Sequence, residues 1–176
     1  MTVLESGRVV LRPWRPSDRA GFRRMGANPR VMEFLPGLLG PAESDALADR
    51  IAAALERRGW GWWALEVPGV AEFGGFVGLG EPACEMPFGK AVEIAWRLDE
   101  PLWGHGYATE AAGLAMDHGF TALGLAEIVS FTATVNQRSQ AVMRRLGMKA
   151  DGEFDHPALA EGHWLRRHVL YRKTAP

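Results

Sequence analysis

Between Trp103 and Ala111 the chain reads W-G-H-G-Y-A-T-E-A, where a strand-like run gives way to a helical one. Gly104 and Gly106 let the backbone approach a ligand closely and adopt φ values that other residues resist. The amides of about His105 to Thr109 then fall in the first turn of a helix, where N–H groups lack intrahelical partners and the dipole favours negative charge. Such a segment either cradles a phosphate or forms a tight turn with capping glycines, and spacing alone leaves both open. The common nucleotide fingerprints do not fit. A G-x-G-x-x-G/A loop needs a small residue where Thr109 stands, and Glu127, the acid that would follow, precedes its strand. A second match at Gly78 to Ala83 runs into Pro82 with no helix behind it, and G-K-S/T does not occur.

The elements that must position this segment follow from periodicity. Val9 to Trp14 reads as a strand, and Pro16-Ser17-Asp18 as a helix start with Ser17 as its cap. After the break from Pro36 to Pro41, Leu47, Ile51 and Leu55 mark an amphipathic helix over Ser44 to Arg58, ended by Gly59. Strands are expected at Gly61 to Val67 and Phe73 to Leu79, joined by the turn Pro68-Gly69, with the cluster Trp60, Trp62 and Trp63 in the core. A Pro/Gly loop over residues 81–90 precedes a strand from Ala91 to Leu98. A helix from Gly106 to Leu123, a strand from Glu127 to Thr134, and a shorter helix from Asn136 to Leu146 follow. Strands near Met148 to Phe154 and Arg167 to Arg172 close the chain. With no repeat or linker, this order describes one α+β (α/β mixed) domain over residues 1–176, around a mixed sheet.

Composition bounds the function. The 176 residues are 47% hydrophobic with a net charge of −1, an ordinary globular balance. The single cysteine, Cys84, excludes an intramolecular disulfide and a Cys-based zinc site. The N-terminus carries an acid early and no apolar stretch, and no segment approaches the ~20 apolar residues of a membrane span, so a cytoplasmic protein without membrane partners is expected. Charge is uneven: +5 over residues 1–30, −10 over 31–137 and +4 over 138–176. No Lys/Arg run exceeds two, which argues for a solvated surface and against direct nucleic-acid binding. His156, His163 and His168, with Asp155 and Glu161, are metal-ligand types, but they lack the paired short spacing of a metal site, and no metal is expected.

At the glycine loop the chain resembles the GNAT superfamily of acyl-CoA-dependent N-acetyltransferases, whose cofactor loop follows Q/R-x-x-G-x-G/A at a strand-to-helix junction. The resemblance is strongest to the RimJ/RimL type, the ribosomal-protein N-terminal acetyltransferases and their relatives. Four pieces carry it in order: L-R-P-W-R-P-S-D (Leu11 to Asp18), V-E-I-A-W-R-L (Val92 to Leu98), the glycine loop, and N-Q-R-S-Q-A-V-M-R-R-L-G-M (Asn136 to Met148). It implies a single GNAT-like domain with a mixed, mostly antiparallel sheet of about six to seven strands flanked by about four helices. Its co-substrate would be acetyl-CoA and its other substrate an amine, with a homodimer left open.

Carried onto this chain, the family places acetyl-CoA along the strand Val92 to Leu98, at Trp96, Arg97 and Leu98 and beside Trp103, with its pyrophosphate on Gly104, His105, Gly106, Tyr107, Ala108 and Thr109. Pro101 stands where the family has Gln or Arg, so backbone amides and His105 or Arg138 are left to bind phosphate. Asn136 matches the cofactor-contacting asparagine and also suits a helix N-cap.

Acyl transfer needs a neutral amine, an oxyanion donor and a proton for the leaving thiolate. By the same resemblance, a strand N–H near Trp96 or Arg97 is the oxyanion donor. The general-acid tyrosine expected seven residues after Asn136 is Met143 here, which leaves Ser139 as the candidate acid. Glu93 is the candidate base if it faces the cleft; alternation equally allows it to face solvent. An α-amine, with pKa about 8, is easier to neutralise than a lysine near 10.4 by about 1.4 kcal/mol per unit, which favours weakly basic acceptors. The run around His156 to His168 is then a wall of the acceptor pocket or a dimer contact, and Phe34, Trp60 and Trp164 are candidate pocket aromatics. The rival reading is a non-catalytic acyl-CoA-binding sensor or partner-binding module of the same fold, kept open by Met143 and Pro101.

Overall fold

The computed structural model describes residues 2–176. Eight strands form one sheet: β1 (Leu4–Glu5), β2 (Val10–Arg12), β3 (Trp62–Val67), β4 (Ala71–Gly80), β5 (Glu93–Leu98), β6 (Glu127–Ala133), β7 (Lys149–Asp155) and β8 (Arg167–Thr174), in the order β1-β2-β3-β4-β5-β6-β8-β7. Every neighbouring pair is antiparallel except β5 and β6. Four helices complete the fold: α1 (Asp18–Gly26), α2 (Pro41–Arg58), α3 (Tyr107–Thr121) and α4 (Gln137–Arg145). The strand beyond the expected six to seven is β1, whose two residues are too few to show an alternation. No helix is long and apolar enough to cross a membrane among the described residues.

Strand alternation divides the core between the two faces of the sheet. Trp63, Leu65, Val77, Leu79, Ile94 and Leu98 pack with Ala111, Ala112, Ala115 and Met116 of α3, and Met143 of α4 joins the same cluster. Burying each of the large side chains contributes about 1.5–3 kcal/mol. A second cluster of Phe22, Ala48, Ile51 and Phe76, with Trp14, Leu47, Trp62 and Phe73 against it, carries α1 and α2. Trp63 is core as expected, whereas Trp62 points to this other layer.

Two helix starts differ from the sequence expectation. Ser17 makes no side-chain cap; Asp18 Oδ2 accepts the Arg15 N–H at 2.7 Å instead, because the aspartate is held in place from behind. Arg12, buried on β2, donates to Asp18 through both Nη1 and Nη2 at 2.9 Å, and its Nε donates to Glu66 of β3 at 2.6 Å. The second helix begins at Pro41, three residues before Ser44. Proline suits the first helical position, and the Glu43 carboxylate accepts the Gly40 N–H at 2.8 Å. Ser44 is then buried inside the helix, its Oγ without a partner.

The Arg12–Asp18 fork ties α1 to the sheet, and removing one member leaves the other charge short of a partner in the interior. Asp18→Ala should cost about 3–5 kcal/mol of stability, measured by urea unfolding. A loss below about 1 kcal/mol would show that Glu66 alone satisfies Arg12.

Candidate active site

The site exists because β5 and β6 pair at one point and then separate. Glu93 is in register with Val129, and the Val129 N–H donates to Val92 O at 3.0 Å. One residue on, Ser130 Oγ donates to Ile94 O at 2.9 Å, capping the last carbonyl that β6 reaches. On its other side β5 is fully paired with β4, and the Asp99 N–H donates to Gly74 O at 2.9 Å. Antiparallel alternation then directs the backbone groups of Arg97, Ala95 and Glu93 to β4, and those of Ile94, Trp96 and Leu98 to the gap. The Trp103 indole N–H donates to Leu98 O at 2.9 Å and closes the far end. What is left open along the gap is the N–H and C=O of Trp96 and the N–H of Leu98. Of the two expected oxyanion donors, Trp96 faces the gap, and the Arg97 amide is committed to Phe76 by the register.

The gap widens into a cleft of about 1480 Å³, and the expected catalytic and cofactor-loop residues line it. At one end lies the glycine loop. Gly104 and Gly106 have φ of +80° and +82°, so both of the left-handed conformations that the motif requires are present. Gly106 is the N-cap of α3, and the first helical hydrogen bond runs from Glu110 N to Gly106 O at 3.0 Å. The amides of Tyr107, Ala108 and Thr109 therefore have no helical acceptor and converge at the helix N-terminus. Arg8, from the turn between β1 and β2, reaches this loop: its Nη1 donates to His105 O at 3.1 Å, its Nε donates to Glu110 at 2.7 Å, and its guanidinium lies 5.3 Å from the Tyr107 ring. Nothing local in the sequence marked Arg8, which is 97 residues from His105; the basic N-terminal segment was the only trace.

At the start of α4, Asn136 is the helix N-cap suggested for it, and it also lines the cleft. Its Oδ1 accepts the Ser139 N–H at 3.2 Å as an N-cap, and its Nδ2 donates to Thr132 Oγ1 at 3.0 Å and to Ser139 Oγ at 3.1 Å. With an amide donating to its oxygen, the Ser139 hydroxyl keeps its own proton to donate into the cleft. Met143 is 1% exposed and offers only a thioether there. Arg138 sits at the cleft mouth, with Nη2 2.5 Å from Glu33 and its guanidinium 4.5 Å from the Trp103 ring.

Glu93 faces the cleft. Burial pushes its carboxyl up to about 7, with no partner offsetting the cost of the charge. From the same side of β5, Arg97 lies 5.2 Å from the Phe76 ring. Its Nη1 has no hydrogen-bond partner, nor does Nε1 of the neighbouring Trp62. Phe34 lines the cleft; Trp60 does not, and Trp164 is exposed, 6.2 Å from Phe34. The C-terminal histidines pack instead of converging as ligands. The rings of His156 and His168 are 4.8 Å apart beside Phe131 and Phe154, and Nδ1 of His163 accepts the Leu165 N–H at 3.1 Å.

A gap between two strands exposing a short backbone edge, beside a helix N-terminus with free amides, offers backbone donors and acceptors along one line and anion-favouring amides at its end. Comparison with known proteins gives the family. The family model of the Acetyltransferase (GNAT) domain matches residues 8–149, and the chain belongs to that family. The FsC-acetyl coenzyme A-N(2)-transacetylase of Aspergillus fumigatus is 30% identical over 155 residues, or 82% of this chain; the chain spans 64% of that relative's length. Among solved structures, a GNAT-family acetyltransferase from Bacillus anthracis superposes with a TM-score of 0.81 at 20% identity, covering 98% of each chain. RimJ of Mycobacterium smegmatis, in complex with a CoA disulfide, gives 0.75 at 24% identity, covering 99% of this chain and 86% of its own. At these two identities the likeness speaks for the fold.

Because Glu93 titrates near 7 when folded and near its ordinary value when unfolded, folding favours its neutral form. Wild-type stability should fall as pH rises from about 4.5 to 7, by at most about 1.4 kcal/mol for each pH unit crossed. Glu93→Gln should remove that dependence and be the more stable protein at pH 8, as followed by thermal unfolding. Equal melting temperatures for the two proteins at pH 8 would show that Glu93 carries no buried charge.

Proposed function

We propose that this protein is an acetyl-CoA-dependent N-acetyltransferase of the RimJ/RimL type, moving acetyl to the primary amine of a protein N-terminus or a small molecule by direct attack in a ternary complex. The observation that carries it is the bounded free edge of β5 aligned with the glycine loop. The pantetheine amides would hydrogen bond to Trp96 and Leu98, and the pyrophosphate would take the amides of Gly104 to Thr109, with Arg8 and Arg138 nearby as cations. The open space at Gly104, where an added Cβ would meet nothing within 4 Å, suits such a ligand.

The remaining roles follow from placement. Glu93, neutral or ionised in comparable amounts near neutral pH, takes a proton from the acceptor ammonium. The amine nitrogen bonds to the thioester carbon, the Trp96 N–H meets the developing oxyanion, and the C–S bond breaks. The departing thiolate takes its proton from the Ser139 hydroxyl, which recovers one from the second N–H that the acylated nitrogen sheds, and this answers the absence of a tyrosine at Met143. The rival reading, a non-catalytic acyl-CoA sensor, rests on Met143 and Pro101 and requires that no amine release the thiol.

Acetyl-CoA at 100 times its Kd should stabilise the wild type by about 2.7 kcal/mol, or roughly 5–10 °C in melting temperature. Gly106→Val, which forces a β-branched residue to positive φ, should abolish the shift; a normal shift in that variant would refute the cradle. Ser139→Ala should lower kcat about 10- to 100-fold with KM little changed, read by thiol release. Unchanged kcat would leave Ser139 a helix-capping partner only. The acid limb of kcat/KM should fall near pH 7 and vanish in Glu93→Gln.

A further inference from the structure

The arginines around the cleft fall into two groups. Arg8, Arg30, Arg58 and Arg138 each end on a carboxylate, those of Glu110, Glu100, Glu81 and Glu33. Arg50 and Arg145 are exposed, where water solvates them. Arg97 is different. Its Nη1 is out of contact with water and without a partner, and its guanidinium lies 5.2 Å from the Phe76 ring and 5.9 Å from the Phe22 ring. Burial alone shifts its pKa, down to about 10, with no neighbouring charge or hydrogen bond contributing. It is therefore a cation at neutral pH in an apolar setting.

A buried charge with no counter-charge opposes folding, and a leucine or methionine would fill the same space without that cost. Among the described residues the guanidinium meets two aromatic faces but no hydrogen-bond acceptor, which leaves its donors to water or to a ligand in the cleft. The planar fork of arginine matches a carboxylate in two parallel hydrogen bonds.

Its position says which ligand brings that partner. Side chains alternate along a strand, so Glu93, Ala95 and Arg97 project from the same side of β5, toward the layer of α1 and α2. The open backbone edge of β5 lies in the plane of the sheet instead. Ala95 leaves the middle of this row low. Across it on β4 stand Gly78 and Gly80, and the Trp62 ring lies over Gly80, where an added Cβ would come within 3.0 Å of it. The result is a trough with Glu93 at one end, Arg97 at the other, and along its side Trp62, whose buried indole N–H is also unpaired. Four strand residues span about 13 Å.

We infer that the acceptor amine bears a carboxylate several atoms from its nitrogen, as in an ω-amino acid or a short peptide, and that Arg97 binds this carboxylate while the amine lies at Glu93. The inference rests on the acetyltransferase reading for the identity of the reacting end. A polyamine would set a second cation against Arg97 and is disfavoured.

The test is binding of product-like ligands, independent of turnover. N-acetylglycine, N-acetyl-4-aminobutyrate, N-acetyl-6-aminohexanoate and N-acetylglycylglycine would each be titrated against the matching carboxamide by calorimetry, into free and CoA-saturated protein. At least one acid should bind tenfold or more tightly than its amide, in wild type and not in Arg97→Met, with partial return of the preference in Arg97→Lys. Ligand-free Arg97→Met should melt at or above the wild-type temperature, since it removes an unpaired buried charge. Equal binding of acids and amides, binding of neither, or a preference that survives Arg97→Met would overturn the proposal. So would a lowered melting temperature with the preference intact, which would make Arg97 a packing residue. Thermal shift with CoA in the same samples reports separately on the acetyltransferase reading: acids that bind without any CoA shift would keep the carboxylate site and refute the cofactor.

Discussion

The structure depends on the place where two parallel strands stop being a sheet. β5 and β6 share one register pair, Glu93 with Val129, and then part. In an ordinary sheet the backbone groups beyond that pair would be consumed by the next strand. Here two side chains cap the ends of the gap, Ser130 on Ile94 O and Trp103 on Leu98 O, and the polar edge between them is left for a ligand. Buried backbone polar groups need partners. A protein that holds such an edge open leaves these groups to water or to a ligand with complementary donors and acceptors. The rest of the fold serves the gap: β6 is held away by its full pairing with β8, β5 by its full pairing with β4, and the glycine loop hangs from the end of β5.

The same logic governs the charges. Most of the ionic side chains form pairs, many of them exposed and worth little individually. Others are exposed and solvated, but two that are largely withdrawn from water lie on one side of β5. Glu93 and Arg97 are each largely withdrawn from water without a counter-charge; near pH 7 the carboxyl is divided between its two forms and the guanidinium is charged. Unpaired groups of this kind lower stability and are characteristic of sites that act on something external. They share a trough with the unpaired indole of Trp62, on a face of β5 distinct from the backbone edge at Trp96 and the glycine loop at Gly104 and Gly106.

Much of this was legible in the chain. The long strands and helices were marked by apolar period and by Gly and Pro at their ends. The glycine loop, Asn136 and Ser139 could be placed from local pattern and family resemblance. The failures have physical causes. β1 was too short to show alternation, and α2 began early because proline and a reaching Glu43 capped it. Ser17 gave way as a cap to Asp18, which is aimed by Arg12 and Glu66 across the sheet. Arg8 was invisible because its partner loop lies about a hundred positions on. Trp62 does pack against a core cluster as expected, and what the sequence did not show is that the missing side chain of Gly80 lets its ring also form a wall of the cleft.

By itself the sequence determined the elements, the left-handed glycines at the start of α3, and the family to which the chain belongs, since these depend on residue types a few positions apart. It left the face of Glu93 open and assigned Arg97 only a backbone role. Those were decided by tertiary structure. Whether a carboxylate is a solvated surface acid or a base near neutrality, and whether an arginine is paired or waiting, depends on desolvation and on the neighbours that packing supplies. Both are properties of the assembled sheet and its covering helices, and no spacing within β5 encodes them.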